Sequence, residues 1–345
     1  MKLWLFRSNL RNLESYHSCE TLEEFKRECW DFYLLQGVYF LEHGYLDEFI
    51  VWRLRPKKKS TYIINSWKLT NGSIFRQEVV DSFEDIFHPK YSYMKKLPDI
   101  SFFRGGFSEY DRLVKKYSDK LGTTLYLGAG QRTFPKYGGK YDHVLTEEFI
   151  KNTLPFYKTA NPIIFKPLNL EKKYDICFPA NFTQHTYKGQ KQFIEQVSKS
   201  DFLKSLKIIH VGNNPHSGKK MCKKFGVTNI DFAGHINRKE VNETLNKSKL
   251  AICYSNRTDG NPRVITEILC SETPLLLYDH TRSLPYVSAT PATRIFTDKS
   301  FERAIKASLR DYKILKETLH NYVDNLSMEN ICIKNWKIWT KKDNQ

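Results

Sequence analysis

Residues 250–278, LAICYSNRTDGNPRVITEILCSETPLLLY, constrain this chain more than any other stretch. Residues 250–255 are a short apolar run with a β-branched residue and an aromatic, the pattern of a buried strand. Residues 256–260 are polar and end in Asp-Gly, which marks a loop. Asn261-Pro262 reads as an N-cap followed by a proline at the first helical position, where its missing N–H costs nothing. Val264, Ile265, Ile268 and Leu269 supply the apolar stripe of a short helix. Thr273-Pro274 stops it, and residues 275–277 are the next buried strand. Strand, loop, helix, strand is a parallel βαβ unit. Its polar loop falls at the carboxyl end of the strand, where open α/β sheets bind ligands.

The loop and helix present a distinct set of groups. Gly260 and Asn261 offer backbone N–H groups at a helix N-terminus, a site for a phosphate or a sugar hydroxyl. Arg263 and Glu267 are four residues apart and share one helix face. Asp259 stands eight residues before Glu267, so two carboxylates flank the helix start. Carboxylates accept hydrogen bonds from hydroxyls, which suits the pair to a ribose and a sugar rather than to a phosphate. A loop acid beside a solvated helix charge would account for two acids alone, but not for the complete string DGNPRVITEILCSETP.

That string resembles the signature of the family 4 retaining glycosyltransferases of the GT-B fold, two acids separated by seven residues around a Gly-x-Pro. The resemblance implies that Asp259 holds the donor sugar, that the amides of Gly260 and Asn261 hold the sugar and diphosphate, and that Glu267 holds the ribose. Asp259 stands where the family usually has Glu, which shortens the reach. The resemblance covers the second half of the chain. Residues 181–189, NFTQHTYKG, lead into a helix at 190–197. Here the family has an arginine and then a Lys-Gly whose cations clamp the diphosphate. Lys188 and Gly189 match, Asn181 or a neighbour occupies the arginine position, and Arg263 or Arg257 would compensate. Residues 206–212 are a strand whose Gly212 end faces the same cleft. Residues 229–236, NIDFAGHI, resemble the family's strand and turn beside the base, which implies contacts from His235 and Ile236; a surface loop histidine is the bland alternative. The fold implied is α/β, two Rossmann-like domains facing each other across a cleft: residues 1–165 on the acceptor side, 166–310 binding the nucleotide sugar, and 311–345 as helices crossing back.

The first half gives less. Residues 1–6 read as a strand without a glycine-rich phosphate loop after it. Residues 22–35 have helical spacing. Residues 45–54 and 60–67 read as strands of a hairpin with a basic tip, the cations being Arg53, Arg55, Lys57, Lys58 and Lys59; a charge run is often only a solvated turn. Residues 99–106 and 123–130 read as strands with glycine-rich ends, and 142–146 as a third, followed by a helix near Glu147. Arg104, Gly105, Gly106, Gly128 and Gly130 are candidate cleft-lining residues on the acceptor side. The histidine that the family often carries here is absent from the end of 125–130. Residues 161–172, with two prolines, read as the interdomain linker.

No stretch reaches the ~18 continuous apolar residues of a membrane span. Residues 1–11 lack the pattern of a signal peptide. Seven cysteines are scattered, odd in number and never spaced as metal ligands, which fits reduced core thiols in a cytoplasmic protein, the host's cytoplasm if the chain is viral. The net charge of +17 points to an anionic partner, although a lysine-rich coding bias contributes. The expected reaction moves a sugar from a nucleotide sugar, a UDP-sugar by resemblance, to an acceptor hydroxyl, with retention. It needs no metal and no resident cofactor. The charge favours duplex DNA bearing a hydroxylated base as acceptor. A saccharide or lipid-linked saccharide, with the basic face on anionic headgroups, is the alternative. An inactive nucleotide-sugar or polyanion-binding module is the reading from another class.

Overall fold

The computed structural model describes residues 1–7, 15–54, 62–89, 96–128, 134–148, 150–181, 188–255, 262–280, 290 and 292–340. The chain divides into two units, Met1–Tyr157 with Cys332–Gln345, and Lys158–Ile331. Each is built on its own sheet.

The first unit contains β1 (Lys2–Arg7), α1 (Leu22–Glu28), α2 (Phe32–Glu42), β2 (Glu48–Leu54), β3 (Tyr62–Lys68) and β4 (Ile74–Val80). It continues with β5 (Ile100–Arg104), α3 (Ser108–Tyr117), β6 (Thr123–Leu127), β7 (His143–Thr146) and β8 (Leu154–Pro155). The sheet order is β3-β4-β2-β1-β5-β6-β7-β8, parallel except where β3 meets β4. Apolar runs such as LWLF in β1 and FIVW in β2 are what a strand covered on both faces requires. Their rings interlock: Phe6 stacks on Phe103 at 4.5 Å, and Trp4 meets Trp52 edge-on at 5.4 Å.

Three expectations for this unit are corrected. The helical spacing over 22–35 is broken at residues 29–31, because Asp31 Oδ1 accepts from the Tyr33 N–H at 3.1 Å and starts a new helix. No hairpin joins β2 to β3. Every residue of β2 is buried, and it lies between β1 and β4, while β3 turns back on β4 through Asn71-Gly72. Gly72 adopts φ +86° there, and Leu69 N donates to Ser73 O at 2.9 Å. Asn-Gly between alternating strands is the stronger hairpin signal. After β7 no helix starts near Glu147 among the described residues. The Glu148 N–H donates to the Thr146 hydroxyl at 3.1 Å, and Phe156 N to Thr146 O at 2.7 Å, which turns the chain back into β8.

The second unit contains β9 (Tyr174–Pro179), α4 (Gln190–Ser198), α5 (Asp201–Ser205), β10 (Ile208–Val211), α6 (Pro215–Phe225), β11 (Ile230–Gly234) and α7 (Arg238–Asn246). Then come β12 (Ser248–Cys253), α8 (Arg263–Cys270), β13 (Leu275–Tyr278), β14 (Thr293–Phe296), α9 (Phe301–Arg310) and α10 (Tyr312–Tyr322). All pairs in the order β11-β10-β9-β12-β13-β14 are parallel. The chain winds one way from β9 and then the other from β12, so the strand order reverses between these two. The βαβ unit of β12, α8 and β13 is the one that residues 250–278 predict. Helix α8 begins at Arg263 with Pro262 as its N-cap, one residue later than expected.

Residues 161–172 are not a free linker. Ala160, Ile164 and Phe165 are buried in the second unit's core with Leu319 of α10. The units therefore divide at 157/158 and 331/332, where the sequence suggests 165/166 and 310/311. Helix α11 (Met328–Trp339) carries the chain across the second division. From Cys332 onward it belongs to the first unit, where Trp336 and Trp339 pack on Phe40 at 4.8 and 5.7 Å. All seven cysteines are buried and unbridged. No described helix is long and apolar enough to cross a membrane.

Candidate functional site

A concavity of about 220 Å³ opens at the carboxyl ends of β9 and β12, where the second sheet's strand order reverses. Helices that follow parallel strands begin at this edge, so their first turns point N–H groups toward it. Two glycines allow the close approach. Gly189 holds φ +69° at the N-cap of α4, and a Cβ there would stand 2.5 Å from Tyr254 O. At Gly212 a Cβ would stand 2.3 Å from Ala180 O, and its N–H donates to Gly234 O at 2.9 Å.

The lining brings together most of the residues expected to hold a donor. Asn181, Lys188 and Gly212 lie on one side, His235 and Ile236 beyond β11, and Arg263 and Glu267 on the first turns of α8. Gly189 is adjacent, under Tyr254. Asn181 Oδ1 accepts from Asn213 N at 2.8 Å, and its carbonyl accepts from the Gln190 amide. Asn181 thus ties β10's loop to α4 at the place where the resemblance has an arginine. Arg263 is exposed, Lys188 half-buried and Glu267 buried. Asp259, Gly260, Asn261 and Arg257 lie outside the described residues.

One residue was missed. Arg238, at the start of α7, lines the concavity and donates from Nη1 to Glu267 Oε1 at 2.9 Å. Its placement follows from the N-x-x-E capping box: Asn237 Oδ1 accepts from Glu240 N at 3.0 Å, and Glu240 Oε2 from Asn237 N at 2.8 Å. Reading that box would have put Arg238 on the first turn, facing the loops. Lys188, Arg238 and Arg263 add three cations to the lining that includes Glu267. The floor is closed by Tyr254, stacked on Tyr278 at 4.6 Å, its hydroxyl donating to Asp298. Burial and the Asp298 carboxylate hold that phenol well above its ordinary pKa, so it stays neutral.

The acceptor-side candidates lie in the first unit. Arg104 ends β5, and its Nη1 donates to Gly128 O at 2.6 Å. Gly105 adopts φ +114° and donates to Leu127 O at 2.9 Å, with Gly106 following. Gly130 lies outside the described residues, as do Arg55, Lys57, Lys58 and Lys59. Arg53 is not at an exposed rim as expected: it is 6% exposed, with its guanidinium on Gln77 Oε1 at 3.1 and 3.3 Å. Its place on the central strand β2 dictates that burial.

Residues 160–326, nearly the whole second unit, match the family model for glycosyl transferases group 1. The second unit is therefore a group 1 glycosyltransferase domain, and the chain has the GT-B fold. Sucrose-phosphate synthase from Thermosynechococcus elongatus superposes with a TM-score of 0.64 at 11% identity, over 98% of each chain. A glycosyltransferase from Rickettsia africae ESF-5 gives 0.66 at 13%, over 98% of this chain and 97% of that one. Anabaena HepE in complex with UDP gives 0.62 at 9%, over 98% and 99%. No curated protein matches the chain. A group 1 glycosyltransferase draws its sugar from a nucleotide sugar, and the concavity gathers cations and a buried carboxylate at the carboxyl edge of the group 1 domain's sheet.

Proposed function

We propose that this glycosyltransferase takes a UDP-sugar in the concavity of its second unit and transfers the sugar with retention, using no metal. The observation that carries the reading is the convergence of Lys188, Arg263 and Glu267 where β9 and β12 diverge. Glu267 accepts the ribose hydroxyls through the oxygen that Arg238 leaves open. The base lies against His235 and Ile236. Lys188, and Arg263 in place of the missing arginine, clamp the diphosphate, and the helix N-termini add their N–H groups. As the glycosidic bond breaks, charge grows on the departing diphosphate, and fixed cations stabilise that charge more than the ground state. Asp259 and the amides of Gly260 and Asn261 hold the sugar, on the resemblance alone. A structural neighbour solved with UDP, and another with UDP-2-fluoro glucose, support the choice of nucleotide.

The acceptor hydroxyl belongs on this reading to a saccharide or lipid-linked saccharide. A neighbour in this fold is a lipopolysaccharide outer core galactosyltransferase. A second reading, a hydroxylated base in duplex DNA, draws on the net charge of +17. Such a base must be flipped out of the stack to reach a cleft. Burial of Arg53 takes one cation from the proposed basic face, which then rests on Arg55, Lys57, Lys58 and Lys59.

A thermal-shift screen of nucleoside diphosphates tests the donor. Saturating UDP should raise the melting temperature, a ligand at a hundredfold excess over Kd contributing about 2.7 kcal/mol. A chain indifferent to every nucleotide would end the reading. Proton NMR of the first product formed then decides retention by its anomeric coupling, and full activity in a chelator decides the metal.

A further inference from the structure

Three arginines stand at or next to the carboxyl ends of neighbouring strands along one edge of the first unit's sheet. β2, β1 and β5 are consecutive, Arg53 is the register partner of Arg7, and Arg104 follows Phe103, the partner of Phe6. The chain leaves β1 toward β2 on one side and returns to β5 on the other. The β1/β5 boundary is therefore this sheet's own point of reversal, at whose carboxyl ends open α/β sheets bind ligands.

The charges there do not balance. Arg7 pairs with Asp31, and its guanidinium lies 5.2 Å from the centre of the Tyr33 ring. Arg104 lies 5.0 Å from the same ring, donates to the neutral Gly128 and Leu127 carbonyls and is hydrogen-bonded to the Tyr33 hydroxyl, which itself donates to Glu147 at 3.0 Å. Among the described residues, Arg53 donates only to the neutral Gln77 amide oxygen. Burial keeps Tyr16, Cys29, Tyr33 and Tyr110 protonated, and burial with the Arg53 charge lowers His17 to about 3, so none of these contributes charge near neutrality. Among the described residues, three permanent cations face two carboxylates, Asp31 and Glu147. Moreover, Arg7 Nε and Arg104 Nε are buried with no hydrogen-bond partner among the described residues. A buried charge in excess and two unsatisfied donors are costly unless an anion completes them.

We propose that Arg7 and Arg104 form an oxyanion subsite at the β1/β5 boundary, and that it takes the terminal phosphate of a small phosphorylated acceptor. Guanidinium forks match the oxygens of a phosphate in a way that ammonium groups do not. The Arg7 side chain is 19% exposed, so a terminal group reaches it, whereas a polymer backbone would not follow into a site this enclosed. The proposal rests on the reading of the first unit as the acceptor side, and it narrows the acceptor to one carrying a phosphomonoester.

The test is calorimetry of the full chain with inorganic phosphate, against chloride at equal ionic strength, with and without saturating UDP. Phosphate should bind in both cases. Loss of phosphate binding in the presence of UDP places it at the donor diphosphate site and overturns the subsite. Failure of UDP to bind sinks the donor reading and leaves the phosphate result standing. Arg104→Gln should weaken phosphate binding about tenfold or more, the worth of a hydrogen bond to a charged group. Asp31→Asn keeps the helix cap but removes a competing anion, and should tighten phosphate about threefold. Unchanged affinity in Arg104→Gln, or no tightening in Asp31→Asn, overturns the proposal; if circular dichroism shows one variant unfolded, the other decides. Displacement of phosphate by a duplex oligonucleotide would also overturn it, in favour of a backbone contact.

Discussion

Arg238 Nη1 sits 2.9 Å from Glu267 Oε1, joining the first turn of α7 to α8 at the edge of the second sheet's concavity. The Glu267 side chain is 8% exposed and that of Arg238 37%. The guanidinium occupies one carboxylate oxygen, and on the proposed donor reading the other accepts the ribose. Glu267→Ala should therefore weaken nucleotide binding by about 1–3 kcal/mol with the fold intact. Arg238→Ala should weaken it as well, because the carboxylate loses its orientation. The double variant should lose less than the sum, since the two residues act as one unit. Isothermal titration with UDP measures all three, and strict additivity would separate the residues' roles.

Lys188→Ala should lower kcat more than donor affinity, because charge on the diphosphate is greatest in the transition state. A kcat within about twofold of wild type, well under 1 kcal/mol of barrier, would pass the clamp to Arg263 or Arg238. Steady-state kinetics with the donor varied makes the distinction.

Gly189 and Gly226 adopt nearly the same backbone, φ +69° and +66°, but differ in surroundings. A Cβ at Gly226 meets nothing within 4 Å, whereas one at Gly189 presses on Tyr254 O. Gly226→Ala should thus cost only the left-handed penalty of about 1–2 kcal/mol. Gly189→Ala should cost more and reduce UDP binding, since the end of β12 must shift. Equal melting temperatures for the two variants would argue that the strand end gives way freely.

His210, buried beside Phe178 and Phe232, is lowered by burial to about 4. The unfolded chain then binds the proton more readily than the folded one. Its contribution to stability is constant above about pH 6.5 and falls with acidification down to about 4, by ~1.4 kcal/mol per pH unit. His210→Phe should flatten this part of the profile. Urea unfolding at pH 5 and pH 7 shows whether the slope goes with the histidine.

The DNA reading of the acceptor stands or falls on salt. Phosphate contacts release counterions, so log K for duplex DNA should fall with log[salt] at about −0.9 per contact. Neutralising Lys57, Lys58 and Lys59 together should lower that slope and weaken all sequences alike. Binding that ignores salt, or that goes to anionic vesicles instead, leaves the saccharide acceptor.

Local patterns in the sequence determined the βαβ unit at residues 250–278, because an apolar run, an Asp-Gly loop and a helix stripe each report on near neighbours. They also placed Lys188, Glu267, Gly212 and His235 at strand ends and helix starts, the positions that the doubly wound order brings to one edge. The capping box before Arg238 was equally local, but the contact of Arg238 with Glu267 was visible only in the tertiary structure. What the tertiary structure alone decided concerns pairing and burial. Which strand lies beside β2 depends on contacts far apart in sequence, so residues 45–67 suggested a hairpin that the central position of β2 forbids. Arg53 reads as one more cation in a basic run, yet its strand is covered on both faces and its charge is buried. Arg7, Arg53 and Arg104 are scattered along the chain and acquire a common meaning only when parallel pairing sets them in one row.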